Sequence, residues 1–213
     1  MTPISAIIKD AVILFGVSTV FVYIVNTAFS TLKHGAPQND PVVTAILQND
    51  TNAVAALLKD SANPRDKPDS FGRTPLLWAA YANYSTTNRI VEIDEKRAPI
   101  IRMLLQDGAE VGTKDKDGWT ALMWAAWSGL PQVVSELLEK GAVATPADRQ
   151  GNTALTLAAQ RGQVDVVRLL LGKGADKTAA TPAGKTALDF AKAGRDQYPA
   201  RREAYTAIIS LLQ

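Results

Sequence analysis

Residues 115–146 read DKDGWTALMWAAWSGLPQVVSELLEKGAVATP, and the pattern of this stretch returns along the chain. Its turn glycine, Gly118, has counterparts at Gly151 and Gly184, each 33 residues after the one before. Upstream, Gly72 lies 46 residues before Gly118, which is one period of 33 plus an insert of 13. A fixed period of this length predicts stacked supersecondary units rather than one globular core.

Each unit is predicted to fold as a turn, a short helix, a second turn and a longer helix. Thr120 suits a helix N-cap, because its side-chain oxygen can accept from unpaired backbone N–H groups. The apolar and small positions of the first helix are Leu122, Ala125 and Ala126. The apolar stripe of the second helix is Val133, Val134, Leu137 and Leu138. Gly141 then suits a left-handed C-cap, and such a helix pair buries its apolar face only when units stack.

These blocks resemble ankyrin repeats, whose pattern is D-x-x-G-x-T-P-L-H-x-A-A-x-x-G, then x-x-V-V-x-L-L-L and G-A-D. The first half reads DSFGRTPLLWAA from Asp69, DKDGWTALMWAA from Asp115, DRQGNTALTLAA from Asp148 and TPAGKTALDFAK from Thr181. The second half reads MLLQDGA from Met103, LLEKGA from Leu137 and LLLGKGAD from Leu169. The resemblance covers about residues 41–213 and implies an all-α fold, an ankyrin-repeat solenoid of helix pairs.

One departure from the family pattern concerns the histidine that follows leucine. The residues found there are Leu77, Met123, Thr156 and Asp189. The side-chain hydrogen bonds that this histidine usually makes between loops are therefore replaced or missing.

The resemblance divides the chain into five repeats. Residues 41–68 are a capping repeat with helices near 42–48 and 52–59; it lacks the Gly-x-Thr-Pro-Leu opening, as expected of a terminal unit. The next repeats are 69–114, 115–147 and 148–180, and residues 181–213 form a C-terminal cap. In that cap we expect helices at 186–192 and 203–212, joined by a short basic connection that contains Arg195, Arg201 and Arg202.

The insert of the second repeat falls at about residues 83–96, between its two helices. It is either a solvated loop or N-terminal extension of the second helix, or a finger that projects to contact a partner. Its carboxylates, Glu92, Asp94 and Glu95, lack the glycine and terminal glutamate of a calcium loop, so no cation site is predicted.

The N-terminal region contains 19 residues without a charge, AVILFGVSTVFVYIVNTAF at 11–29. As a helix this stretch is about 28 Å long, close to the thickness of a bilayer core. We predict a transmembrane anchor helix at residues 1–34 and a linker at 35–40. A cleaved signal peptide is the main alternative, although the apolar stretch exceeds the usual length; a buried soluble helix is disfavoured because every face is apolar.

Orientation depends on few charges, Lys9 and Lys33 on opposite sides of the span. Because a short tail before a single span is commonly retained inside, we expect a single-pass protein of the inner membrane with its repeats in a bacterial periplasm. Gly16, Ser18 and Thr19 would allow close contact with another membrane helix, although such residues are common in spans.

Composition argues against catalysis. The chain has no cysteine and one histidine, His34, which lies in the linker region near the predicted span, and its net charge is only +2. No nucleophile–base arrangement or phosphate-binding loop is visible. We therefore expect no enzyme activity, no cofactor, no metal site, no small-molecule substrate and no nucleic acid partner.

The residues expected to bind a partner come from the resemblance, which implies that turn tips and first helices share a concave surface. Exposed tips are Phe71, Arg73, Trp119, Arg149 and Asn152, and the positions after Ala-Ala are Tyr81, Trp127, Gln160 and Arg161. The predicted partner-binding set is Phe71, Arg73, Tyr81, Trp119, Trp127, Gln160 and Arg161, since aromatic residues and arginine are enriched at binding hot spots. Trp78 and Trp124 are expected in the core. Mutual stacking, or packing against the insert, is the alternative for Trp119 and Trp127.

Together these features predict a non-catalytic, membrane-anchored protein-interaction module. The anchor would place its partner at or in the same membrane, as in an accessory or assembly subunit of a membrane complex. The alternative is a secreted or periplasmic soluble ankyrin protein, acting in stress protection or toxin neutralisation after loss of its N-terminus.

Overall fold

The computed structural model describes residues 40–60, 66–82 and 90–213. Over these residues the chain forms helices and connecting loops, with two isolated β-bridges and no strand. The α-helices are α1 (Pro41–Leu47), α2 (Thr51–Leu58), α3 (Pro75–Ala80), α4 (Ile90–Gln106), α5 (Ala121–Ser128), α6 (Pro131–Glu139), α7 (Ala154–Gln160), α8 (Val164–Gly172), α9 (Ala187–Gln197) and α10 (Arg202–Leu212), and a 3₁₀ turn at Pro199–Arg201 precedes the last.

The predicted membrane span at residues 11–29 lies outside the described residues. Of the helices that are described, none is both long enough and apolar enough to cross a bilayer. The anchor therefore stays a prediction from the sequence.

The helices stack in two layers, with one pair from each repeat. The first helices α1, α3, α5, α7 and α9 contact one another in that order, and so do the second helices α2, α4, α6, α8 and α10. The apolar side chains that the repeat pattern predicted for the core lie between the layers. Leu122, Val133, Val134 and Leu137 are buried, as predicted, and Leu138 is half-buried. Each repeat thus supplies half of a core that its neighbour completes.

Threonine residues cap the first helices of repeats 3, 4 and 5. Thr120 Oγ1 accepts from the N–H of Met123 at 3.3 Å, and Thr153 and Thr186 cap α7 and α9 in the same way. In the capping repeat, aspartates take this role. Asp40 accepts from two N–H groups of α1 and Asp50 from one of α2, so both helices begin within one residue of their predicted starts.

The C-terminal pair differs from the prediction. Helix α9 was expected to end near residue 192 but continues to Gln197, so that Arg195 belongs to the helix rather than to the connection. Gly194 lies in the added part of the helix, where a Cβ would overlap the ring of Tyr205. Tyr205 is buried against the helix and donates its hydroxyl hydrogen to the carbonyl oxygen of Gln160 at 2.9 Å.

Part of the insert extends a helix. Helix α4 has 17 residues, and its segment 90–96 precedes the point where a regular second helix begins. Pro99, which lies 33 residues before Gln132 of α6, marks that regular start. Of the alternatives left by the sequence, the N-terminal extension of the second helix is therefore correct for residues 90–96.

Candidate partner-binding face

An aspartate fixes the conformation of the loop that opens each of repeats 2, 3 and 4. Asp115 Oδ1 accepts from the N–H groups of Asp117 and Trp119, each at 2.9 Å, and Asp69 and Asp148 make the equivalent pair of bonds. The turn needs a left-handed residue, and Gly118 supplies it with φ +87°. The loop tips are consequently fixed before any partner binds.

Backbone hydrogen bonds join one loop tip to the next. The N–H of Lys116 donates to the carbonyl oxygen of Phe71 at 2.9 Å, and the N–H of Arg149 donates to that of Asp117 at 3.1 Å. Repeats 2, 3 and 4 thereby present their tips as a connected row.

The second oxygen of the loop aspartate binds tryptophan in repeats 2 and 3. Trp78 Nε1 donates to Asp69 Oδ2 at 3.1 Å, and Trp124 Nε1 donates to Asp115 Oδ2 at 3.0 Å. The prediction that both indoles belong to the core is confirmed, since their exposed fractions are 2% and 5%. The hydrogen bond satisfies the indole N–H on burial.

The position of the missing histidine is filled in two ways. Leu77 and Met123 are buried apolar side chains in repeats 2 and 3. In repeats 4 and 5 the residues are Thr156 and Asp189, whose side chains accept from the N–H of the helix-capping threonine and complete a capping box. The loops of the last two repeats are thus fixed by local bonds.

Arg73 is buried rather than exposed, so its predicted exposure at a loop tip is wrong. Its guanidinium carbon lies 5.3 Å from the ring centre of Phe71, 5.2 Å from that of Trp78 and 5.0 Å from that of Trp124. Its exposed fraction is 6%, and its Nε lies 3.9 Å from Asp115 Oδ2. Three aromatic rings and a carboxylate attract the cation inward, and it therefore links repeats 2 and 3 from within.

The carboxyl of Asp115 is correspondingly unusual. Burial raises its pKa above the ordinary value, while the Trp119 N–H, the Trp124 indole and the charge of Arg73 act in the opposite direction. Its cost of burial is thus partly offset by hydrogen bonds to both oxygens.

Trp119 is also buried, with an exposed fraction of 7%, so its predicted exposure is wrong as well. Its ring packs on Trp124 at a centroid distance of 4.4 Å and meets the edge of Trp127 at 5.7 Å. The alternative of mutual stacking describes this geometry. Two large rings from one repeat cover more apolar area by stacking than by pointing into solvent separately.

The other predicted residues are half-buried. They are Phe71, Tyr81, Trp127, Gln160 and Arg161, and we call this set the Trp127 face. Of the remaining predicted tips, Arg149 is exposed and Asn152 is half-buried with its side chain bonded to Asp148.

Ring contacts connect this face across three repeats. Tyr81 of repeat 2 meets the Trp124 ring edge-on at 5.2 Å, and Trp124 leads through Trp119 to Trp127 in repeat 3. The guanidinium carbon of Arg161 in repeat 4 lies 4.6 Å from the centre of the Trp127 ring. The ring of Trp127 is therefore held between an indole of its own repeat and a cation of the next.

Arg97, at the regular start of α4, supports the face from behind and was not selected from the sequence. It is buried, and its Nη1 donates to the carbonyl oxygens of Trp78, Ala79 and Tyr81 at 2.9, 3.1 and 3.3 Å. Its Nε donates to Asn49 Oδ1 in the capping repeat. Burial lowers the pKa of Arg97 to about 10, so it remains charged at neutral pH and faces the negative end of α3.

Asp94 connects the extension of α4 to the following repeat. Its carboxylate accepts from the N–H groups of Gln132 at 2.8 Å and Val133 at 3.0 Å, which lie at the start of α6. Burial raises its pKa, and these two bonds act against that increase. Since α6 lacks a side-chain cap of its own, the insert extension caps the helix of the following repeat. Pro99 indicates only where a regular second helix begins, so no sequence signal indicated this extension.

Among the described residues, no three side chains of His, Asp or Glu are grouped so that they could hold a metal ion. What the face offers is aromatic area, one stacked guanidinium and hydrogen-bonding groups on a stiff support.

Stacked pairs of helices joined by aspartate-stabilised loops define a helical repeat protein. Within it, residues 89–181 match the model of a family described as Ankyrin repeats (3 copies). This stretch begins in the insert and ends at the first residue of the fifth repeat, so the predicted ankyrin character is confirmed there. Ankyrin repeats are typically non-catalytic units that bind other proteins.

Proposed function

We propose that the protein is a non-catalytic, membrane-anchored interaction module that binds another protein through the Trp127 face. The observation that carries the proposal is the state of Trp127. Its ring is half-buried, and its contacts with Trp119 and Arg161 restrict its orientation. An aromatic ring that is already ordered loses little conformational entropy when a partner covers it.

The extent of the face supports a protein partner rather than a small ligand. Phe71, Tyr81, Trp127 and Arg161 are spread over three neighbouring repeats that are joined by loop hydrogen bonds. Interaction energy in protein complexes comes mainly from a few such aromatic and arginine side chains within a broader contact area.

The uncharged stretch at residues 11–29 supports the membrane part of the proposal. Its length matches a single span. An anchored module meets membrane partners at a high effective concentration, so that a modest contact area suffices. We accordingly propose an accessory or assembly subunit of a bacterial inner-membrane complex, with the repeats in the periplasm.

Quantitative copurification from native membranes in mild detergent tests the binding face. The full-length chain should retain its partner, and Trp127→Ala should reduce the yield of partner at least about tenfold, as for a hot-spot residue. The matched control is Arg168→Ala, which alters an exposed side chain of α8 in the second-helix layer. Equal partner yields from wild type and Trp127→Ala, with both chains folded, would show that this face is not the binding surface.

The anchor has a separate test. Mass spectrometry of the native N-terminus, combined with alkaline extraction of membranes, should find an intact chain in the membrane pellet. A shortened N-terminus on a protein that is released by extraction would support the soluble alternative instead.

A further inference from the structure

Charge is distributed unevenly along the repeats. Residues 148–213 contain ten basic and six acidic residues, a formal net charge of +4. Residues 40–147 contain 11 basic and 14 acidic residues, a net charge of −3. The Trp127 face lies across the boundary, since Arg161 comes from the basic part and Trp127 from the acidic part.

Two arginines are positioned together on the basic side of Trp127. Arg161 stacks on the Trp127 ring, and Arg201 Nη1 donates to the carbonyl oxygen of Arg161 at 3.2 Å. The charges of both guanidiniums reach the hydroxyl of Tyr205, where they oppose the increase in its pKa that burial causes. Both arginines therefore lie around one point, the end of α7.

Two carboxylates, Asp196 and Glu203, lie in the same C-terminal part of the chain. Asp196 Oδ1 accepts from Arg195 Nε at 2.9 Å, and Asp196 also interacts electrostatically with Arg202. Glu203 lines a surface depression together with Pro199, Ala200, Arg202 and Thr206. The region thus contains both cations and anions, and Arg161, which accepts from Arg201 through its carbonyl oxygen, contacts Trp127.

We propose that Trp127, Arg161 and Arg201 bind an acidic segment of the partner protein. Carboxylates of the segment bind the two guanidiniums, and an apolar side chain between them covers the accessible part of the Trp127 ring. The inference rests on the proposed function, because it names the chemistry of the partner at the same face. Guanidinium groups suit carboxylates through paired, planar hydrogen bonds.

A protein segment fits these observations better than an anionic bilayer does. Lipid surfaces are typically bound by clusters of about four to eight Lys or Arg residues. Here Asp196 and Glu203 are interspersed among the arginines, and Trp127 is half-buried between neighbours rather than projecting. Mixed charge around a fixed ring favours a ligand of matching pattern.

The test uses the full-length chain in an uncharged detergent and two fluorescein-labelled decapeptides. One alternates Glu and Leu, and the other has Gln in place of Glu. Fluorescence anisotropy should detect binding of the Glu peptide only. Its affinity should fall about tenfold for Arg201→Glu, the effect expected for loss of a charge-assisted contact, and also fall as salt is raised.

Arg168→Glu is the matched control, because it makes the same change of charge at an exposed position of α8. It should alter the affinity by less than about twofold, since surface charges at a distance are largely screened. Circular dichroism melts of both variants verify that they are folded. Equal losses for the two variants, equal binding of the two peptides, or no binding of either would overturn the proposal.

Vesicles containing phosphatidylglycerol provide the membrane arm. For this arm the chain is reconstituted in neutral nanodiscs, free of detergent, and mixed with the vesicles. If it floats with the vesicles only when Arg201 is present, and does not bind the peptide, the arginines bind lipid and the acidic segment is rejected. Copurification of a partner that is lost in Trp127→Ala but unaffected by salt and by Arg201→Glu would reject this inference while leaving the proposed function in place.

Discussion

In repeats 2 and 3 the loop aspartates also bind tryptophan indoles, and one lies beside a buried arginine, whereas in repeats 4 and 5 a capping box stabilises the start of the helix that follows the loop. The first arrangement joins residues far apart in sequence, such as Arg73 with Trp124 and Arg97 with Asn49. The second joins Thr153 with Thr156 and Thr186 with Asp189, three residues apart. One repeat framework can thus be stabilised by buried long-range contacts or by local hydrogen bonds.

The difference matters for the binding face. Long-range contacts in repeats 2 and 3 immobilise the aromatic rings, whereas in repeats 4 and 5 Arg161 is half-buried and Arg201 is exposed. The rigid aromatic part therefore adjoins a part that carries positive charge.

The largest effect is expected at Arg97. Arg97→Ala removes donors to three carbonyl oxygens at the C-terminal end of α3 and to Asn49, and leaves these groups without the buried cation. We expect a loss of about 3 kcal/mol in the free energy of unfolding. Urea unfolding of the full-length chain in detergent measures it, with Arg168→Ala as control at less than about 0.5 kcal/mol. A small effect at Arg97 would mean that the capping repeat and repeat 2 do not depend on this contact.

Replacing the buried indole in repeat 3 should have the next largest effect. Trp124→Phe removes the donor to Asp115 Oδ2 and part of the stacking with Trp119 and Tyr81. We expect a loss of about 2 kcal/mol. Trp127→Phe, at a half-buried position, should cost less than about 1 kcal/mol in the same unfolding measurement. If the two variants are equally stable, the tryptophan–aspartate bond contributes nothing.

The helix caps allow a closer comparison. Thr153 Oγ1 accepts from the N–H of Thr156, but Oγ1 of the buried Thr74 has no hydrogen-bond partner among the described residues. Thr153→Val should therefore cost about 1 kcal/mol, whereas Thr74→Val should be neutral or slightly stabilising. Thermal melts of the two variants measure the difference, and a greater loss at Thr74 would contradict the assignment of local caps to repeats 4 and 5.

The smallest effects are expected in the pH dependence of stability. The contributions of Asp94 in repeat 2 and Asp189 in repeat 5 should change in opposite directions as pH falls. Burial raises the pKa of Asp94, despite its bonds to Gln132 and Val133, and Glu95 adds to the increase. The native state thus takes up a proton before the unfolded state does, and the contribution of Asp94 to stability rises as pH falls from neutral toward 4. The free energy of unfolding of wild type, relative to that of Asp94→Asn, should therefore rise as pH falls over that range.

Asp189 behaves in the reverse manner. Hydrogen bonds from Thr186 lower its pKa, with further help from Lys185 and Lys192. Its contribution is present above the unfolded pKa and is lost as pH falls through the folded value. The melting temperature of wild type, relative to that of Asp189→Asn, should therefore fall on acidification from about pH 6 to 3. Parallel trends for the two variants would refute the contrast.

Much of the framework could be predicted from local sequence signals. Turn glycines, capping threonines and apolar spacing located the paired helices of the regular repeats, because each signal acts within a few residues. The exposure of Arg73 and Trp119 could not be obtained in this way. Their burial depends on rings contributed by a neighbouring repeat or by the next helix, and a position within a repeat motif does not specify those neighbours.

The same reason explains the ends of the C-terminal helices and the insert. Helix α9 continues past its expected end, and Gly194 in the added part makes room for Tyr205, which lies on the next helix. The polar contacts of Asp94 and Arg97 extend to three different repeats. Contacts of this kind become visible only when the repeats are placed side by side.

Site-specific photocrosslinking in native membranes tests the central claim most directly. A benzophenone amino acid at position 127 of the full-length chain should form a crosslink to one protein partner, and the same probe at position 168 of α8 should not. Crosslinks of equal yield at both positions, or none at 127 while 168 reacts, would contradict a partner-binding surface built around Trp127.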